Sequence, residues 1–388
     1  MKSEWRYCPL DKRPYNHPDK ELFLRGYIVA ILFATFGIST LCAAPSSTDS
    51  TLTSPKPLLT VLCYHNIDLS RPSNSPYSVT SARFIDELNA LKTAGFEFVS
   101  QEQVEAFYLS GKPLPLLSAL ITFDDGHQNI YERAYPILRR MKIPWVLFIY
   151  PTAIGVGHDK GFMDWADVRA LRKDGVAIGS HSYDHPYLTR PEKEISTPET
   201  YETWLDKELV HSKRLIEEKL GATINSFAAP FGALNEASQR HIVTSGYSLA
   251  FNVFGSNNDA LNNRLELNRI IVLASDTPET VVREASERPL HFVKESPGAL
   301  QVVGGALATI SFSLSSMENY IPGSIQATLN GTKVETLKEN GSSFSFDLPT
   351  PDHTKGFIVT VHARDLSGVA CSQSYYFIYA SSKPTFLK

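Results

Sequence analysis

Cysteine is scarce in this sequence: there are four in 388 residues, and two of them, Cys8 and Cys42, precede residue 45. The other two, Cys63 and Cys371, stand near opposite ends of the remaining chain, which excludes a small disulfide-stapled scaffold. Low-complexity tracts and internal repeats are absent, so solenoids and polar disordered polymers are excluded as well. A basic excess is also missing. Residues 45–388 hold 31 Lys and Arg against 37 Asp and Glu, from whole-chain totals of 37 and 41 less the six and four in residues 1–44, a net charge of −6. A nucleic-acid partner calls for the opposite sign, so none is expected.

Long apolar runs are limited to one. Arg25 precedes Gly26–Ala44, 19 residues without a charge, and a Ser/Thr/Pro-rich stretch follows. That pattern reads as a signal peptide or a single membrane anchor over residues 1–44, with 45–56 as a tether. Leu41 before Cys42 does not suit a lipoprotein site, whereas cleavage after Ala43 fits the small-residue rule. The expected location is therefore secreted or in a bacterial cell envelope, periplasmic or anchored, with membrane contact only through this segment.

What is present from residue 57 onward is alternation. The runs 58–65, FEFVS, 118–123, 145–150, VAIGSHS, NSFAAPF, SLAFNV and NRIIVL are short and apolar, as strands are. Between them lie stretches at helical spacing: Phe84, Leu88 and Leu91 after the caps Thr80 and Ser81, then 131–141, 164–175, 198–220 and 234–245. Strand-then-helix order predicts a parallel sheet with helices outside, an open or incomplete (β/α) barrel over residues 57–287. Beyond it the texture changes. ATISFSL, SIQATLN, KVETLK, SFSFDL, FIVTVHA and SQSYYFIYA alternate with period two, and Asn330-Gly331 and Asn340-Gly341 are hairpin turns. Residues 290–388 are expected to form an all-β immunoglobulin-like sandwich.

Two clusters carry chemistry. Asp124 and Asp125 follow the strand SALITF directly, and His181 and His185 follow VAIGS. In a barrel of this kind both sit at the C-terminal rim, where reactive groups gather. One Asp and two His supply three metal ligands and leave a coordination position open, which is the catalytic pattern. The His-x-x-x-His spacing brings both imidazoles to one ion if the segment begins a helical turn. The second Asp is then free to accept a proton. A solvated Asp-Asp-Gly turn is the plain alternative.

In their order, Thr-Phe-Asp-Asp-Gly (122–126), Ser-His-Ser-Tyr-Asp-His-Pro (180–186) and Ala-Pro-Phe-Gly (229–232) resemble the motifs of the NodB-type polysaccharide deacetylases, carbohydrate esterase family 4. The likeness spans residues 57–283. Tyr64-His65 at the end of the first strand, and Met163-Asp164-Trp165 before the histidine motif, resemble the poly-β-1,6-N-acetylglucosamine N-deacetylases in particular. The resemblance implies the NodB-type incomplete barrel and an enzyme that removes N-acetyl groups from an N-acetylated polysaccharide. It implies a divalent metal, Zn with Co, Ni or Fe as substitutes, on Asp125, His181 and His185. Asp124 is then the general base and His65 the general acid, at the front of the domain instead of near its end. Pro230 and Phe231 shape the substrate loop, with backbone N–H groups near the oxyanion, and Trp165 packs on the sugar. Where the family usually has Arg two residues before that Pro, this sequence has Ala228, which leaves the partner of Asp124 to be found; Arg269 in LNRIIV is the candidate. An O-acetyl esterase and a catalytically silent glycan-binding protein are the alternatives, and the presence of all five reactive residues weighs against the second.

Overall fold

A computed structural model describes residues 56–69, 75–189, 195, 197–296, 302–303, 309–348 and 357–379. The N-terminal segment 1–44 and nearly all of the tether lie outside the described residues. Among the described residues, no helix is long and apolar enough to cross a membrane.

Strands that are apolar on both faces need cover on both faces, and that requirement sets the architecture. β1, Leu58–Tyr64, is buried at all seven positions. β2 (Leu117–Phe123), β3 (Trp145–Ile149), β4 (Ala177–Ser180), β5 (Ser226–Ala228), β6 (Leu249–Phe251) and β7 (Ile270–Ile271) follow. They lie in the order β7-β1-β2-β3-β4-β5-β6, every pair parallel, with the short strand Glu97–Phe98 beside β2. A single bridge between Phe251 and Leu267 draws the two ends together, so this is an incomplete barrel. The strands FEFVS and NRIIVL shrink to two paired residues each.

Helices cover the outside and start where the sequence caps them. Thr80 accepts from Arg83 N ahead of Ser81–Thr93, and Asp164 accepts from the N–H groups of Ala166 and Asp167 ahead of Trp165–Lys173. The stretch 198–220 is one helical run interrupted by a π turn at Asp206–His211 and closed by Gly221 in the left-handed region. A second π turn, Ile130–Ala134, opens the helix ending at Met141.

Beyond the barrel, Phe292–Ser296, Thr309–Leu314, Ser343–Asp347 and Lys338–Asn340 form one antiparallel sheet. Gln326–Leu329, Phe357–Arg364 and Ala370–Tyr379 form a second. Side chains from both share one interior, with Ile310 and Phe346 meeting Val359 and Phe377. That is a sandwich. KVETLK is not one strand: Lys333 pairs in Thr332–Lys333, which the Asn330-Gly331 turn, both residues at positive φ, returns to Thr328–Leu329, and Lys338 begins Lys338–Asn340 in the other sheet.

Candidate active site

The register of the sheet decides where the reactive residues stand. Tyr64 pairs with Phe123, so His65 and Asp124, the next residues, leave adjacent strands at the same level. The backbone N–H of Asp124 donates to Tyr64 O at 3.0 Å, and that of His181 donates to Ile149 O at 2.8 Å. Strands β1, β2 and β4 thus deliver His65, the two aspartates and the histidine segment to one rim.

The local backbone separates the two aspartates. Gly126 N donates to Asp124 O at 3.0 Å, closing a three-residue turn around Asp125 at φ 73°. This left-handed position costs a non-glycine residue about 1 kcal/mol or more. Gly126 also sits at positive φ, and a Cβ there would lie 2.7 Å from Ile154 Cδ1, so the turn admits no larger residue. The turn faces Asp124 and Asp125 in different directions.

Asp124 points inward. It is 2% exposed and meets Arg269, which is fully buried, in a two-pronged pair: Nη1 to Oδ1 at 2.7 Å and Nη2 to Oδ2 at 2.8 Å. Cys63 Sγ also donates to Oδ2, at 3.4 Å. Burial pushes the Asp124 carboxyl upward, but the Arg269 guanidinium and then His181 outweigh it and hold the group down at about 2. Arg269 therefore fills the place left by Ala228, from a strand on the other side of Asp124.

Asp125 turns the other way. Its Oδ1 is buried without a hydrogen-bond partner and lies 3.7 Å from His181 Nε2 and 3.4 Å from His185 Nε2. Its Oδ2 is 3.5 Å from His127 Nε2. Burial raises this carboxyl too, and the hydrogen bond from His127 and the nearby His185 override it, holding it well below the usual carboxylate range.

The histidine segment is not a helical turn, contrary to what the spacing suggested. It is a loop with Ser182 at φ 67° and His185 at φ 57°, and these two left-handed residues bring the rings to 4.7 Å between centroids. The loop is clamped from the π turn behind it. Glu208, 1% exposed, accepts the N–H groups of Tyr183 and Asp184 at 3.0 Å each, and Ser212 Oγ donates to Ser182 O at 2.8 Å. His181 Nδ1 donates to Ala228 O at 2.8 Å, which leaves Nε2 as the free lone pair facing Asp125. Burial lowers His181 to about 4, so the ring is neutral and able to ligate.

These features fit a divalent cation. An unbonded buried carboxylate oxygen and two imidazole nitrogens face one point, and one imidazole is fixed in the ligating tautomer by its other nitrogen. His65 lies close by: one of its ring nitrogens, Cys63 Sγ and an Asp124 oxygen fall within 4.8 Å of one another. His65 Nδ1 is buried without a hydrogen-bond partner, and burial, against the pull of Asp125 and Asp124, lowers the ring below its ordinary value. Phe231 is 39% exposed at φ 57° and packs edge-on to His185 at 4.8 Å; Tyr187 stacks on it at 3.7 Å. Pro230 is buried beneath. Trp165, in contrast, sits at the start of its helix, half-buried on the main core and over Gly155. Two histidines later in the chain are engaged elsewhere, His241 within its helix and His291 with Asp259 at 3.0 Å.

His127, Glu208, Tyr187 and Cys63 escaped the sequence reading. His127, two residues past Asp125, carried a signal in its proximity; Glu208 carried none, because a buried glutamate in a helical run looks like a solvated one.

With this geometry in place, residues 112–250 match the family model of the polysaccharide deacetylases. The chain carries a polysaccharide deacetylase domain. A poly-beta-1,6-N-acetyl-D-glucosamine N-deacetylase of Staphylococcus aureus is 26% identical over 180 residues, 46% of this chain and 61% of that protein. The chain thus spans about three-fifths of the length of such curated relatives. A solved structure from Ammonifex degensii, described as IcaB, has 25% identity and a TM-score of 0.51, covering 59% of this chain and 97% of that one. A de-N-acetylase from Aggregatibacter actinomycetemcomitans, at 20% identity and a TM-score of 0.54, covers 58% and 99% and shares the fold.

Proposed function

We propose that the protein is a metal-dependent hydrolase that removes N-acetyl groups from an extracellular polysaccharide, with poly-β-1,6-N-acetylglucosamine as the substrate. The observation that carries this reading is the division of labour at the end of β2. One aspartate is paired with a buried guanidinium and the next keeps one oxygen unbonded in front of two histidines.

Asp125, His181 and His185 would hold the cation. When bound, a divalent ion in such a site supplies Lewis-acid polarisation of the acetamide carbonyl and lowers the pKa of water. Asp124, kept ionised and immobile by Arg269, takes a proton from the attacking water. His65, across from Asp124 on the neighbouring strand, delivers a proton to the departing nitrogen as the C–N bond breaks. Acetate and a free amine on the glycan result. The Phe231–Tyr187 stack offers a flat apolar face beside His185 for a sugar ring.

Localisation outside the cytoplasm, through residues 1–44, belongs to the same proposal. The test is acetate release from an N-acetylglucosamine oligomer and from acetyl-xylan, before and after exhaustive chelation. Release from the oligomer, loss on chelation and recovery with Zn²⁺, Co²⁺ or Ni²⁺ are expected. Release from the xylan alone, or activity indifferent to chelation, overturns it.

A further inference from the structure

Where the sandwich meets the barrel, a set of amide side chains is sealed from water: Asn252, Asn258, Asn268 and Gln373 are each 7% exposed or less. Buried amides are costly unless each donor and acceptor is met. Asn268 is the hub. Its Oδ1 accepts from Asn252 Nδ2 at 3.1 Å, its backbone N–H donates to Asn258 Oδ1 at 2.8 Å, and its carbonyl accepts from Asn258 Nδ2 at 2.9 Å. Its remaining donor, Nδ2, reaches Asn257 O at 3.4 Å and Gln373 Oε1 at 3.3 Å. Gln373 belongs to the last strand of the sandwich, Ala370–Tyr379. The next residue, Ser374, donates its backbone N–H to Ser256 Oγ at 2.8 Å, and both of these residues are buried.

The residue that follows the hub in the chain is Arg269. Its Nε donates to Asn252 O at 2.9 Å and its carbonyl accepts from Gly255 N at 2.9 Å, so the same loop that the amides tie together also fixes the guanidinium. The guanidinium in turn grips both oxygens of Asp124. A continuous set of hydrogen bonds therefore runs from the sandwich to the carboxylate, and its outermost members come from residues 373 and 374.

We propose that the C-terminal sandwich is a working part of the active site, with Gln373 as a positioning residue. Together with the Ser374 N–H, it clamps the 252–258 loop and Asn268 and so holds Arg269 in register with Asp124. The inference rests on the reading of Asp124 as the base. Displacement of a reacting group by even 1 Å is enough to cost two orders of magnitude, so a clamp one residue removed from Arg269 bears on turnover.

The test uses the full chain with Gln373→Met, which keeps the volume and removes the acceptor. The expected result is a fall in kcat of about tenfold with KM and bound metal unchanged. In an Arg269→Lys background the same change should cost nothing further, because the two residues act on one carboxylate. Exchange of the Arg269 Nε–H, followed by ¹⁵N NMR, should quicken about tenfold. Wild-type kcat in the variant, additive losses in the double mutant or unaltered Nε–H exchange overturns the clamp. If Gln373→Met does not fold, Ser256→Ala severs the second bond and is read by the same three measurements. A wild-type protein that releases no acetate refutes the deacetylase reading instead, and the exchange measurement still decides the clamp.

Discussion

Asp124 and Asp125 are neighbours in the chain, share one strand end and both lie near His181, yet their hydrogen-bond partners differ. Asp124 faces a guanidinium and a thiol, and both of its oxygens are met by the protein. Asp125 keeps an oxygen that is buried and unbonded, opposite two imidazoles on a loop with Ser182 and His185 held in left-handed conformations. The first environment is complete without a ligand. The second leaves an oxygen unmet by the protein, and the strain in the facing loop is offset by Glu208 and Ser212 behind it. Adjacent residues of one type can thus take unlike roles because a single tight turn points them into unlike electrostatic settings.

The comparison breaks most directly by substitution of each aspartate. Asp124→Asn should lower kcat by about 10²–10⁴ while bound metal, measured by elemental analysis, stays at the wild-type level. Asp125→Asn should lose metal and activity together. Equal metal content in both variants would erase the distinction. His65→Ala should cost a comparable or smaller factor, again about 10²–10⁴, with metal content intact. That loss should shrink for an activated aryl ester, whose leaving group departs without a proton; an equal loss on both substrates would remove His65 from the acid role.

A milder effect sharpens the contrast between a buried carboxyl that is paired and one that is not. Glu87, fully buried, accepts from Tyr64 Oη at 3.0 Å and is pushed by burial up to about 8. A group whose folded pKa is raised contributes stability that is fully present below its unfolded value of 4.5 and is lost as pH climbs through 8. Glu87→Gln, which is neutral throughout, should therefore flatten the decline in denaturant midpoint between pH 4.5 and pH 8. An unchanged slope would mean that Glu87 is ionised in the fold.

Much of this was legible in the sequence because the information is local. Strand periodicity placed β1 to β4 within a residue or two, and motif position after a strand end put Asp124, Asp125, His181 and His185 on one rim. The rest depends on partners distant in the chain or on loop conformation, and Arg269, a candidate in the sequence, is secured as the partner of Asp124 only by the fold. Arg269 reaches Asp124 across 145 residues, and only the register of β7 against β1 explains why an arginine there can replace the one absent at residue 228. The histidine loop does not take the helical turn that its spacing allowed, because a spacing of four also fits a loop with a pair of left-handed residues. Gln373 looked like an ordinary polar position of an alternating strand, since nothing in the strand's own pattern records the asparagines it meets.

The pair between Asp124 and Arg269 also has a consequence for how the chain is made. Synthesis at about 5–20 residues per second puts roughly 7 to 30 s between the emergence of these two residues. During that interval β2 carries a carboxylate that cannot be buried without a large penalty, so its strand end must stay wet. Closure of the barrel over Asp124 is therefore favoured only once β1 to β6 have emerged and Arg269, just ahead of β7, has followed them.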